Sequence, residues 1–185
     1  MGKSTTAQMF AEAGCAVWDA DAAVHRLYAK GGAAVDPMQG AFPDAIVDGA
    51  VSRDALREII AADPSALGRI EAIVHPLVAE DRAAFIDAAV TDIVVLDIPL
   101  LFETGSEAGF DAIACVIVDP DVQRKRVLAR GSMSEAQFES IRDKQMPAEE
   151  KCRRADYVIK TDTLEHAREQ VQDVVADIRS RLADA

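Results

Sequence analysis

Cysteine is scarce in this chain of 185 residues: Cys15, Cys115 and Cys152 are odd in number, far apart and without a C-x-x-C pair. That scarcity argues against a disulfide framework or a zinc site and fits a reducing cytoplasm. The three histidines, His25, His75 and His166, are equally scattered, so no metal-ligand cluster appears. No run reaches the roughly 18 apolar residues that a membrane span needs. Lys3 is followed by no long apolar stretch, which argues against a signal peptide. Positive charge is also short: the net charge of -12 speaks against general binding to nucleic acid. Repeats, low-complexity tracts and Ser/Pro-rich linkers are missing too.

What is present suits a soluble globular protein, with 50% hydrophobic and 28% charged residues. The length allows one well-buried domain with a small appendage. Charge is uneven. Between Arg124 and Arg154, nine Lys or Arg stand against five Asp or Glu, which leaves the rest of the chain strongly acidic. A basic island in an acidic chain suits a small polyanion such as a phosphorylated metabolite; a solvated helical face is the plainer alternative.

Residues 5–13 read as a helix closed by Gly14, then CAVW (15–18) as a strand with DAD (19–21) at its exit. Residues 22–30 look helical until GG (31–32) interrupts. From 33 to 90 the pattern is mostly helical, with Leu67, Ile70, Ile73 and Val74 on one face. His75-Pro76 is expected to break or kink it before a further helix through Phe85 and Ile86. IVVLDI (93–98) and IACVIV (113–118) are apolar runs of strand length, suited to parallel strands covered on both faces. Asp119-Pro120 is a helix start, and Ser134 with Gln137 forms a capping box for a helix through 144. YVI (157–159) is a last strand. Helix 164–182 places Leu164, Ala167, Val171, Val174, Val175, Ile178 and Leu182 on a packing stripe. The order helix, strand, helices, strand, helix, strand, helices, strand, helix predicts an α/β fold with a parallel sheet. Ligands of such sheets sit beyond the carboxyl ends of the strands.

Several acids and bases stand at those ends. GKST (2–5) matches the second half of the phosphate-binding loop G-x-x-x-x-G-K-[ST] and opens a helix, whose amides favour phosphate. In that role Lys3 reaches the β- and γ-phosphates and Ser4 ligates Mg2+; an ordinary capped helix start is the alternative. Asp19 and Asp21, at i and i+2, share a side if the segment is extended, and a carboxylate there can accept a proton from a hydroxyl. The same acids can simply cap the next helix. IVVLD resembles a Walker B strand, with Asp97 holding a magnesium-bound water. Arg126 and Arg130 lie at i and i+4, where guanidinium groups can stabilise a phosphoryl in transfer, while Arg124 and Lys125 solvate the helix. His75 suits a structural hydrogen bond as well as a functional one. Taken in order, these features describe a P-loop kinase of small metabolites.

GKST, VWDAD (17–21), VHPLV (74–78), IPLLFE (98–103), VDPDVQRKR (118–126) and RADYVI (154–159) together resemble the dephospho-coenzyme A kinases, in that family's order and over nearly the whole chain. HPL and IPLLFE are the most specific of these; together they separate the family from adenylate, shikimate and gluconate kinases. The resemblance implies a P-loop core of residues 1–32 and 91–185, a helical coenzyme A-binding insertion at 33–90 and a lid at about 127–145. It implies transfer of the ATP γ-phosphate to the ribose 3'-hydroxyl of dephospho-coenzyme A, with Mg2+, in the cytoplasm, by a monomer or weak homo-oligomer. Asp21 matches the general base, Lys3 the loop lysine and Arg126 the phosphoryl-stabilising arginine. Gly2, Lys3, Ser4, Thr5 and Arg130 would bind ATP. Asp19, Asp21, His75, Leu100 and Glu103 would bind the acceptor, and Ser4 and Asp97 would serve the metal.

His25 departs from the family, which often carries arginine there. The front departs further: the family opens with an apolar strand and T-G-x-I-G-x-G-K-S-T, whereas this chain starts at that loop's last variable residue. Met1 is accordingly expected to be internal to a longer natural chain. In the family's sheet order, 2-3-1-4-5, the missing strand leaves a gap between 93–98 and 113–118. Two other readings stay open: another small-metabolite P-loop kinase, and an inactive remnant that retains coenzyme A binding.

Overall fold

The computed structural model describes residues 2–129, 131, 134–143 and 145–184. In chain order the elements are α1 (Lys3–Glu12), β1 (Ala16–Asp19), α2 (Ala20–Tyr28), α3 (Val35–Ala41), β2 (Ile46–Val47), β3 (Ala50–Val51), α4 (Arg53–Ala62) and α5 (Ala66–Ala88). There follow β4 (Val94–Asp97), β5 (Ala114–Ile117), α6 (Pro120–Ala129), α7 (Glu135–Asp143), α8 (Ala148–Arg154), β6 (Tyr157–Lys160) and α9 (Leu164–Ala183). They divide into two compact units, Met1–Val17 with Thr91–Ala185, and Trp18–Val90.

The first unit carries the α/β sheet. β5 and β6 are parallel, with Cys115 opposite Val158 and Val116 opposite Ile159. β1 and β4 form a second pair, begun by the Ala16 amide, which donates to the Ile93 carbonyl at 3.1 Å. Among the described residues β4 and β5 are not paired with each other; β1–β4 and β5–β6 are separate two-stranded pairs. Against it lies α9, whose N-cap Thr163 accepts the His166 amide at 3.1 Å. Its stripe buries Ala167, Val171, Val174 and Val175 against Met9, Phe10, Cys15, Ile93 and Ile159. The stripe ends sooner than its spacing predicts: Leu164 and Leu182 are exposed. The capping box is present, with the Ser134 amide donating to Gln137 Oε1 and the Gln137 amide to Ser134 Oγ. The helix expected between β4 and β5 is a single 3-10 turn at Glu107–Gly109.

The second unit has its own core, centred on the fully buried Met38 with Leu27, Val35, Phe42, Leu56 and Ile70. The stretch from 33 to 90 is mostly helical, as expected, and one expectation is corrected there. His75-Pro76 does not break the pattern, because α5 runs unbroken with Pro76 inside it. Proline removes one helical hydrogen bond; packing of Ile70 and Val74 on one side of Pro76 holds the helix regardless. The stretch also contains an antiparallel hairpin, β2–β3, turned by Asp48 and Gly49 at φ of 52° and 80°. Asp-Gly between short apolar runs is a strong hairpin signal, hidden here by helical neighbours. Gly32 is required by crowding: a Cβ there would lie 2.3 Å from the Leu27 carbonyl oxygen.

Ile159 is fully buried between β5 and α9. Ile159→Ala is expected to lower stability by about 2–5 kcal/mol in urea unfolding, whereas Val90→Ala, at a fully exposed site, should stay within about 0.5 kcal/mol.

Candidate active site

The site begins at the N-terminus of α1. The first amides of any helix lack intrahelical partners and carry partial positive charge, so an anion is favoured there. No acidic side chain occupies the first turn of α1 to compete. Gly2 is the N-cap at φ 90°, a left-handed conformation that suits glycine. Space demands glycine too, because an added Cβ would stand 3.1 Å from Thr161 Oγ1. Ser4 and Thr5 are exposed on the first turn.

Lys3 extends to the end of β4, where its Nζ forms an ion pair with Asp97 Oδ1. Asp97 is 6% exposed, and its second oxygen, Oδ2, is buried without a hydrogen-bond partner. A buried carboxylate oxygen left unsatisfied is costly, and such an atom is explained by a cation or a water that completes it. The donor set is hard oxygen, the kind magnesium takes, and magnesium needs few protein ligands when phosphates supply the rest. Among the described residues no three His, Cys, Asp or Glu side chains gather to hold an ion by themselves.

Around this pair the unit arranges other residues from the sequence reading. Arg126 on α6 donates to the carbonyls of Thr161 at 3.1 Å and Asp162 at 3.5 Å, so its guanidinium is held beside the residue that crowds Gly2. Arg124, expected only to solvate its helix, pairs with Glu135 of α7. Arg130 lies outside the described residues. Leu100 is exposed at φ 60° in the loop after β4. Glu103 takes Lys151 Nζ at 2.7 Å and the Met146 amide at 3.0 Å. Burial works against its charge, but the Lys151 hydrogen bond and the backbone amides prevail and hold its carboxyl below the usual value. The same loop is fastened to α8 by Arg154, which pairs with Glu107 and lies 4.9 Å over the Phe102 ring.

The second unit holds Asp19, Asp21 and His75. Asp19 is the N-cap of α2, its Oδ1 accepting the Ala22 amide at 2.7 Å. Asp21 is exposed in the first turn of that helix. The two acids therefore do not share a side as on an extended segment: the chain is already helical at Ala20, and helical residues two apart face away from each other. The capping alternative is realised for Asp19. His75 lies on α5 at the wall of a cavity of about 420 Å³, with Tyr28, Arg53, Leu56, Ile70 and Glu71. Arg53 sits 5.9 Å from the Tyr28 ring centre. Burial pushes the Tyr28 phenol up, and Arg53 offsets this in part.

Thr161 and Lys151 were missed by sequence reasoning. Thr161 was within reach, since it follows β6 at the carboxyl edge where ligands gather. Lys151 stood out only as part of the basic island; its pairing carried no signal, because Glu103 is 48 residues away and belongs to another segment.

Comparison with known proteins identifies the family. The family model described as CoaE, dephospho-CoA kinase, matches residues 1–166. The dephospho-CoA kinase of Ruegeria pomeroyi is 71% identical over 97% of this chain and 91% of its own length. That of Cereibacter sphaeroides is 60% identical over 100% and 93%. A crystal structure of a Thermus thermophilus protein superposes with a TM-score of 0.81 at 32% identity, covering 95% of this chain and 91% of that one. The Campylobacter jejuni dephospho-CoA kinase, at 22% identity and a TM-score of 0.68, shares the fold. Over nearly its whole length, this chain belongs to the dephospho-CoA kinase family.

Proposed function

We propose that the chain transfers the γ-phosphate of ATP to the ribose 3'-hydroxyl of dephospho-CoA, giving CoA and ADP, the last step of coenzyme A synthesis. The observation that carries this reading is the Lys3–Asp97 pair at the open end of α1, with Asp97 Oδ2 still lacking a partner, in a chain of this family. Lys3 and the amides of Gly2, Ser4 and Thr5 bind the phosphates of ATP, and Arg130 adds to them. Lys3 exchanges its carboxylate partner for phosphate oxygens, a charge-assisted contact of the same kind. Ser4 and, through water, Asp97 would hold Mg2+, which neutralises phosphate charge when bound.

Asp21 accepts the proton of the attacking hydroxyl. Its exposure on a helix turn leaves the carboxylate open to a substrate. Arg126 stabilises the transferring phosphoryl group. Its two present acceptors are backbone carbonyls, neutral groups that an anion can displace. Asp19, His75, Leu100 and Glu103 belong to the acceptor-binding set. Segment 33–90 is the insertion that receives dephospho-CoA, and the cavity beside His75, mostly apolar with Arg53 and Arg57 outnumbering Glu71 at its wall, suits a molecule with an anionic part and a long neutral arm. A cytoplasmic monomer or weak homo-oligomer completes the proposal; among the described residues no helix is long and apolar enough to cross a membrane.

Release of ADP in the presence of dephospho-CoA, nucleoside monophosphates or shikimate tests the acceptor: dephospho-CoA alone is expected to support turnover. Equal rates with another acceptor would point to a different metabolite kinase, and no turnover with any would point to a remnant. Asp97→Asn is expected to weaken the apparent affinity for Mg2+ in turnover by about 10–100-fold, read as a higher half-saturating Mg2+ concentration. Asp21→Asn is expected to lower kcat by about 10²–10⁴-fold with little change in the KM for ATP; unchanged turnover would remove Asp21 as the base.

A further inference from the structure

Trp18 is the single tryptophan of the chain, and it stands directly before Asp19-Ala20-Asp21. It is 2% exposed, and its indole Nε1 donates to Asp81 Oδ1 at 2.7 Å. The same oxygen receives Arg26 NH2 at 2.5 Å. Asp81 lies on α5, Arg26 in the last turn of α2, and Asp21 in its first turn. One carboxylate oxygen thus grips the chain at both ends of the segment that carries Asp19 and Asp21.

We infer that Asp81 is a positioning residue, which fixes Asp21 toward the acceptor hydroxyl by holding Trp18 and Arg26. The inference rests on the reading of Asp21 as general base. Asp19 already sets the start of α2 through its cap on Ala22, but a cap fixes only the first turn relative to its own chain. Asp81 supplies the anchor to a different helix. Its charge suits an anchor. Burial resists ionisation, but the hydrogen bonds from Trp18 and Arg26 prevail and hold its carboxyl below the ordinary value. Two donors on one charged acceptor also fix direction, since the indole N–H and the guanidinium each constrain the geometry of the other. A base displaced by about 1 Å can cost about 10²-fold in rate, so a remote anchor of this kind matters to turnover.

Steady-state kinetics with ATP and dephospho-CoA test this, together with Trp18 fluorescence as a report of the contact. Asp81→Ala is expected to shift Trp18 emission and to lower kcat by about 10²-fold, leaving the KM for ATP within about two-fold. Asp81→Asn retains an acceptor for the indole and should restore part of the rate; Trp18→Phe, which removes the donor together with part of the buried ring, should lose an intermediate amount. In an Asp21→Asn background, Asp81→Ala should cost nothing further, because its effect passes through Asp21. Three results would overturn the inference alone: kcat within about two-fold of the parent in both Asp81→Asn and Trp18→Phe, a loss confined to the KM for ATP, or an equal cost of Asp81→Ala with and without Asp21. An Asp21→Asn enzyme as fast as the parent would instead overturn the base reading and this inference with it.

Discussion

A buried carboxylate at the end of a strand must be given a counter-charge, and in this chain Asp97 takes Lys3. Much of the first unit follows from that requirement. The lysine reaches the strand end only if α1 begins beside β4, and α1 begins there only if its N-cap can adopt a left-handed turn against Thr161. Gly2 meets both conditions. Thr161 is itself tied to the Ile117 carbonyl through its hydroxyl at 3.0 Å and its amide at 2.8 Å. Strand ends, helix start and glycine are thus parts of one arrangement, whose open helix terminus and unsatisfied carboxylate oxygen make it fit for phosphate and a hard cation.

The second unit is organised by different forces. Its core is apolar and helical, its polar contacts are few, and the most constrained of them converge on Asp81. The cavity of this unit is walled by aliphatic side chains and Tyr28, with Arg53, Arg57, Glu71 and His75 among them. A cavity with this chemistry can take an extended substrate without a dedicated hydrogen bond for each atom.

How much of this was legible in the sequence varied with the range of the interaction. Strands 94–97, 114–117 and 157–160 follow from apolar runs, and α7 follows from Ser134 and Gln137, because those signals are local. GKST and IVVLD pointed separately at Lys3 and Asp97; that these two residues meet is a fact of tertiary structure which the motifs imply only as a set. Local rules failed where packing opposed them. Pro76 stayed inside a helix held by its neighbours, and the Asp48-Gly49 turn was masked by helical sequence on both sides. The shared side expected for Asp19 and Asp21 failed for a smaller reason: the helix starts one residue after Asp19. Contacts between distant charged residues, Glu103 with Lys151 and Asp81 with Trp18 and Arg26, left no pattern to read.

The central claim is that the meeting point of α1 and β4 is the phosphate site, with Lys3 moving from Asp97 to the nucleotide. Calorimetric titration of ATP with Mg2+ into the chain and into Lys3→Ala tests it most directly. The account predicts measurable binding to the parent chain and a loss of at least about 10-fold in the variant, the scale of one charge-assisted contact. Equal affinity of the two chains for ATP would contradict it.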